Sequence, residues 1–333
     1  MTQFKAYRIH NDDGNIKAGF ETVSLDDLTE GNVVIRAAYS GVNYKDALAA
    51  TGKGKILRKY PLIGGVDVSG VVAESHSNRL QSGDKVVVCG CDLSETRDGG
   101  YAEYVRVPAD CVVKLPDNIS LFEAMAIGTA GFTAALAVDR MEQNGQTPDH
   151  GPILVTGATG GVGSIAIDIL SGSGYEVVAL TGKAESEDYL ETLGAARVLL
   201  RADLDLGKRP MERAEWGGAI DNLGGEVLTW LTRTTKPFGN IAAIGLAASW
   251  ELNTTVMPFI LRGVSLLGIN SVLCPPAMRQ QGWERLGSDL RPSHLDRIVT
   301  RTVPFDQLPD AFDALVDGTN TGRTVVTIDT ALE

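Results

Sequence analysis

Long apolar runs are missing from this chain of 333 residues. The longest weakly polar stretch, 124–138, "AMAIGTAGFTAALAV", falls short of the ~18 residues that a membrane span requires and reads as a buried helix. The N-terminal "MTQFKAYRIH" has no apolar h-region, so a secretory signal is not expected there and the cytoplasm is the expected compartment. Basic charge is scarce: 30 Lys and Arg against 42 Asp and Glu give a net charge of -12. That balance disfavours nucleic acid as a partner, because binding a phosphate backbone needs a broad basic face. Any anion site must be local. Cysteine is scarce too, and Cys89, Cys91, Cys111 and Cys274 lack the spacing of a zinc ribbon or disulfide framework. In a reducing compartment all four are expected to be structural thiols.

What is present is ordinary globular composition, 44% hydrophobic and 22% charged, in a chain long enough for two domains of about 150 residues. Residues 1–122 are rich in β-branched and aromatic runs such as "FKAYRI", "NVVIRAAYS" and "VDVSGVVAE", broken by turn signals, which predict a barrel-like β domain. From about 151 the texture changes to apolar strands alternating with helical patterns, the signature of a doubly wound parallel sheet in an α/β protein. Beyond 270 the alternation loosens. Leu308, Ala311, Phe312, Leu315 and Val316 then have helical spacing, and "RTVVT" reads as a last strand. The expected layout is a β domain of 1–122 with 271–333, split by an inserted dinucleotide-binding domain of 123–270.

The insertion contains "VTGATGGVG", a glycine-rich turn between predicted strand and helix. Such a turn lets backbone approach a pyrophosphate, and the helix N-terminus adds unpaired N–H groups. An NAD site usually places an acid at the end of the second strand to bind the ribose 2′-hydroxyl. Here that end reads Thr181-Gly182-Lys183, a hydroxyl, an open backbone and a cation that suit the 2′-phosphate of NADP, with Arg201 at the end of the following strand. The plainer reading of Lys183 is a solvated lysine beside Glu185 and Glu187. A second local anion site is "GKGKILRKY", where Lys53, Lys55, Arg58 and Lys59 fall within seven positions; its plainer reading is a solvated loop.

The order of "GVNYKD", "GGVDVSGVV", "GDKVVV", "GGYAEYVRVPAD" and "VTGATGGVG" resembles the medium-chain dehydrogenase/reductase superfamily along the whole chain. The resemblance implies a GroES-like catalytic domain interrupted by a Rossmann domain. Zinc-dependent members carry Cys and His in the segments where this chain has Asn43 and Asp67, and a four-Cys lobe that it lacks, so no tetrahedral site of N and S ligands is expected. The chain is similar to the zinc-free, quinone-oxidoreductase-like branch. "NYKDALAATGKGKILRKYPLIGGVD", "LRGVSLLGINSVLCP" and "NTGRTVV" look most like its acrylyl-CoA reductase group, with one departure at Asn270, where Asp is expected.

That resemblance implies NADPH as cofactor and an acyl-CoA as substrate. Reducing an enoyl thioester places charge on the thioester oxygen, so donors for an enolate and a proton for the α-carbon are required. Asn43 and Tyr44 are the candidates for contact with nicotinamide and thioester, Tyr44 as proton donor. Asp46 and Asp67 either orient them or brace the barrel. The resemblance further places Thr159, Gly160, Gly161 and Val162 at the pyrophosphate, Leu246 and Ser271 toward the nicotinamide, and Asn320 and Arg323 at cofactor or substrate; Arg323 alternatively pairs with a carboxylate. Lys53, Lys55 and Arg58 would receive the phosphates of CoA. The run 264–269, "VSLLGI", has edge-strand texture, and the family pairs such strands into a homodimer. Two other functions compete: a quinone or general enone reductase, which has no need of the basic segment, and a cofactor-binding protein without turnover.

Overall fold

A computed structural model describes residues 3–333, which divide into two compact units. The first contains the chain up to Phe132 together with Ser271–Gly287 and Ile298–Glu333; the second contains Thr133–Asn270 and Ser288–Arg297.

The first unit is the expected β domain. Its largest sheet is organised on the strand Val33–Val42, which pairs antiparallel with Asp67–Ser75, with Tyr104–Val107 and with the C-terminal strand Arg323–Thr327. Residues almost 300 positions apart thus share one register, Thr324 facing Val42. The strands are rich in valine, and their alternate side chains fill two apolar clusters, one around Val33, Ile35, Val86 and Val105 and one around Phe4, Tyr7, Tyr101 and Phe312. The C-terminal helical pattern is only partly realised. Pro309, which cannot donate a backbone N–H, lies in a 3-10 segment Phe305–Ala311, and the α-helix that follows is only Phe312–Val316. Leu308, Ala311 and Phe312 are buried all the same.

The cysteine expectation is corrected here. Cys91 and Cys111 form a disulfide, while Cys89 and Cys274 are free and buried. The strands Lys85–Cys89 and Val113–Lys114 pair antiparallel, with Val87 opposite Val113, which carries Cys111 to the end of the first strand, beside Cys91. Spacing along the chain does not reveal that register.

The second unit is a six-stranded sheet whose neighbours are all parallel. In chain order its strands are Ile153–Thr156, Val177–Thr181, Arg197–Leu200, Trp216–Asp221, Thr235–Ala243 and Ser265–Gly268, and across the sheet they run 3-2-1-4-5-6, the Rossmann order. Helix Gly161–Gly172 buries Ile165, Ala166, Ile169 and Leu170 as its 3.6-residue pattern predicts. Its Asp168 accepts from the backbone N–H of His294 at 2.9 Å and lies 2.8 Å from that residue's Nδ1, which fixes the segment Ser288–Arg297 to this unit. The weakly polar stretch forms helix Leu121–Gln143, long and apolar enough to cross a membrane, yet 83% buried inside the protein over its most apolar window.

Candidate active site

The segment "VNYKD" leaves the central strand and turns at once into helix Tyr44–Thr51. Asn43 is its N-cap, and the Asp46 carboxylate reaches back to accept from the Asn43 backbone N–H at 2.9 Å, the reciprocal half of a capping box. Capping alone would leave Asp46 near the surface. Instead it is 2% exposed, and its other oxygen accepts from the Val66 N–H at 3.1 Å.

Asp67 is completely buried beside it. Helix Leu121–Gln143 explains why a carboxylate belongs there. The helix breaks at Gly128 (φ 51°), and the second half begins at Thr129, whose N–H and hydroxyl donate to Asp67 at 3.0 and 2.6 Å. Asp67 therefore caps an interior helix start and meets the positive end of its dipole. A side chain at position 128 would strike the Asp67 carboxylate and the Arg323 guanidinium, and the backbone there is left-handed; both demand glycine.

Arg323, from the C-terminal strand, closes the cluster. Only 2% exposed, it donates to the carbonyls of Ala126 (3.1 Å), Val42 (3.2 Å) and Met125 (3.3 Å) and to Asn43 Oδ1 (3.0 Å), with its Nη2 3.7 Å from Asp67. Asn43 Nδ2 donates to both Asp67 (2.8 Å) and Asp46 (3.1 Å). Burial, and then the charge of Asp67, pushes the Asp46 carboxyl up to about 7, while its bonds from Asn43 pull the other way.

The Asn43 amide is thus engaged on both sides, its oxygen by Arg323 and its nitrogen by Asp46 and Asp67. Arg323 directs its donors to buried carbonyls and the Asn43 carboxamide, and it lies within ion-pair distance of Asp67, as the carboxylate-pairing alternative expects. Both residues act through what they hold. What they hold is the start of the helix whose first residue, Tyr44, is 47% exposed. Lys53, Lys55, Arg58 and Lys59 follow that helix and are all exposed. Arg58 lies 3.8 Å from Glu95, which also binds Lys45 at 2.6 Å.

In the second unit, Gly157 turns with φ 58° after the strand Ile153–Thr156, and a Cβ on Gly163 would meet the backbone of Gly157 and Ala158. The loop therefore lies tight on its helix. A Cβ on Gly160, the N-cap, would meet only the Gly157 carbonyl at 3.3 Å, so on its other sides the turn is open to a ligand. Thr159 is buried; Gly161 and Val162 are half-buried. Asp221 and Asn222, which sequence reasoning missed, brace the turn: Thr156 Oγ1 donates to Asp221 at 2.8 Å and Asn222 Nδ2 donates to the Thr156 carbonyl at 2.7 Å. Only their position at the end of the fourth parallel strand hints at this.

At the second strand's end Thr181 is buried, and its hydroxyl accepts from the Lys183 N–H at 3.0 Å, which shapes the turn and leaves the O–H as a donor. Lys183 is partly buried, and desolvation holds its ammonium below the usual lysine range, with Glu185 opposing. The Arg201 guanidinium lies 3.8 Å from where a Gly182 Cβ would stand. Two cations beside an open glycine fit a 2′-phosphate. Leu246 is 64% exposed. Ser271, in the first unit, is buried, and its carbonyl accepts from Arg279 at 3.4 Å. Asn320 is half-buried and donates to the Gly322 carbonyl at 3.2 Å. Among the described residues no three His, Cys, Asp or Glu side chains are grouped to hold a metal.

Comparison with known proteins agrees with this architecture. Residues 29–117 match the alcohol dehydrogenase GroES-like domain and residues 161–286 the zinc-binding dehydrogenase family. The chain is 46% identical to the putative quinone oxidoreductase YhfP of Bacillus subtilis, over 98% of this chain and 99% of that one. It is 43% identical to the acrylyl-CoA reductase AcuI of Ruegeria pomeroyi over the same shares. The crystal structure of the yhdH oxidoreductase from Salmonella enterica in complex with NADP matches with a TM-score of 0.94 at 42% identity, covering 97% of this chain and 99% of that one.

Proposed function

The chain belongs to the medium-chain dehydrogenase/reductase superfamily, in its quinone-oxidoreductase-like branch, and from that premise we propose that it is a cytoplasmic, NADPH-dependent enoyl-CoA reductase acting on acrylyl-CoA. The observation that carries the reading is the continuity of one segment: a helix begun by the exposed Tyr44 runs directly into the exposed basic residues Lys53, Lys55, Arg58 and Lys59. A reacting thioester and a distant, multiply charged phosphate tail need that combination. Similarity to AcuI points the same way.

The turn from Gly157 through Val162 would hold the pyrophosphate, and Lys183 with Arg201 the 2′-phosphate. When bound, NADPH supplies the hydride that the β-carbon of the enoyl thioester accepts. Tyr44 then gives its phenolic proton to the α-carbon and is reprotonated from solvent, to which it is open. Asn43, Asp46, Asp67 and Arg323 fix the helix that carries it, so that the donor is placed before substrate arrives. Ser271, Leu246 and Asn320 keep the cofactor-side roles that the family resemblance implies. Tyr44→Phe should lower kcat with acrylyl-CoA about a hundredfold while KM holds; an unchanged kcat would remove Tyr44 as donor.

A second reading, a quinone reductase, is favoured by the similarity to YhfP and leaves the basic segment without a task. NADPH oxidation followed with acrylyl-CoA, crotonyl-CoA and a benzoquinone, with NADH as control, separates the two. Turnover of acrylyl-CoA selective for NADPH supports the first; turnover of the quinone alone sinks it.

The exposed edge of the parallel sheet also supports a homodimer. Among the described residues Ser265–Gly268 has one neighbouring strand, and exposed Trp250, Val256 and Ile260 lie in the segment that precedes it.

A further inference from the structure

Glu95 stands out among the acids because it sits against the basic segment. A carboxylate there should repel the phosphates that the segment is proposed to receive, yet its side chain is only 13% exposed and is committed to two cations. One oxygen bonds Lys45 Nζ at 2.6 Å; the other lies 3.8 Å from Arg58 Nη2. The Glu95 backbone carbonyl also accepts from the Arg58 N–H at 2.8 Å. One residue thus grips the helix residue that follows Tyr44 and the middle of the basic segment, through side chain and main chain together.

The loop presenting Glu95 is itself tightly tied. The N–H groups of Glu95, Thr96 and Arg97 all donate to the Asp92 carbonyl, at 3.1, 3.1 and 3.0 Å, and Ser94 donates to the Arg97 carbonyl at 2.8 Å. Cys91, Asp92 and Ser94 adopt left-handed backbone, Leu93 is fully buried, and Cys91 is joined to Cys111. By contrast, Lys53, Lys55 and Lys59 have no carboxylate partner among the described residues.

We propose that Glu95 is a positioning residue for substrate specificity: it fixes Lys45 and Arg58 so that the basic segment 53–59 stands preformed for the nucleotide phosphates of an acyl-CoA. The inference rests on the enoyl-CoA reading above. Long cationic side chains lose rotamer freedom when they bind an anion, and holding them beforehand removes part of that cost. Neutralising Lys45 still leaves Lys53, Lys55, Arg58 and Lys59 to offer charge.

The sign of one substitution decides between positioning and simple repulsion. Acrylyl-CoA is compared with acrylyl-pantetheine, the same thioester without the nucleotide. Glu95→Gln should raise KM for acrylyl-CoA about threefold to tenfold, with kcat and the KM for acrylyl-pantetheine unchanged. Glu95→Asp, which keeps the charge but shortens its reach, should raise it as well. A lower KM for acrylyl-CoA in Glu95→Gln would mean that the acid only repels phosphate, and equal losses on both thioesters would mean a general scaffold role; either overturns the proposal. The doubly reversed Lys53→Glu, Lys55→Glu protein separates the two levels. If it discriminates between the thioesters while Glu95→Gln does not, the phosphate site stands and Glu95 has no part in it; if neither discriminates, both fall.

Discussion

Arg323 donates from Nη1 to Asn43 Oδ1 at 3.0 Å, joining residues 280 positions apart in the chain. A guanidinium can only donate and a carboxylate can only accept, so Arg323 on one side and Asp46 with Asp67 on the other admit a single orientation of the Asn43 amide. The first residue of the Tyr44 helix is thereby set by the last strand of the sheet.

Replacing Arg323 should therefore be costly. Arg323→Met leaves Asp67 as a buried carboxylate without its cation, and a buried pair broken on one side typically loses about 3–5 kcal/mol. Urea unfolding reads this directly. Arg323→Lys keeps the charge but cannot reach the carbonyls of Val42, Met125 and Ala126 together with Asn43, and should fall between. A loss for Arg323→Met below about 1 kcal/mol would show that the cluster does not depend on this cation.

This cluster also shows which parts of the protein the sequence reveals. Alternation and glycine spacing disclose the parallel sheet, its phosphate turn and the helix behind it, because those features are local and periodic. Asn43, Tyr44, Asp46 and Asp67 are conspicuous as polar residues among apolar runs. Their division of labour is not conspicuous: whether Asn43 faces a ligand or Arg323 depends on a strand pairing between distant segments, and the contribution of Thr129 depends on a helix break at Gly128. Cys91 and Cys111 were hidden for the same reason. Glu95 carries no motif and becomes visible only once its loop is folded against Arg58.

The cluster should also tilt the pH dependence of stability. The Asp46 carboxyl titrates near 7 when folded and at 3.8 in its ordinary state. Between those values the folded protein holds a proton that the unfolded chain has released, so stability falls as pH rises through this window and levels off above it. Asp46→Asn removes this titration. Denaturation midpoints at pH 5 and pH 8 should differ less in that variant than in the wild-type protein, whatever its absolute stability; an unchanged difference would place the titrating group elsewhere.

Cofactor choice should follow Lys183 and Arg201. Nothing acidic occupies the end of the strand Val177–Thr181, whereas a ribose 2′-hydroxyl would call for a carboxylate there. Lys183→Glu introduces one and removes a cation. KM for NADPH should rise at least tenfold, about 1.4 kcal/mol, with NADH affected far less. Equal changes for both cofactors would assign Lys183 to the solvated surface.

Association of two chains is the remaining prediction, and it concerns the second unit. The edge strand Ser265–Gly268 reads "SLLG", without the charge or proline that usually protects an unpaired edge. Among the described residues, seven of the ten exposed large hydrophobic residues fall between 246 and 261, among them Trp250 at 84%, Ile260 at 71% and Leu261 at 62%. Scattered singly they would need no explanation, but gathered in one segment before an open edge they mark a surface to be covered. A second copy of this chain would cover it symmetrically and hide both edges at once. Light scattering should give twice the chain mass of 35.4 kDa for the wild-type protein and the single mass for Ile260→Asp combined with Leu261→Asp. A wild-type mass of one chain would show that the edge stays open, and a variant that remains dimeric would move the interface to another face.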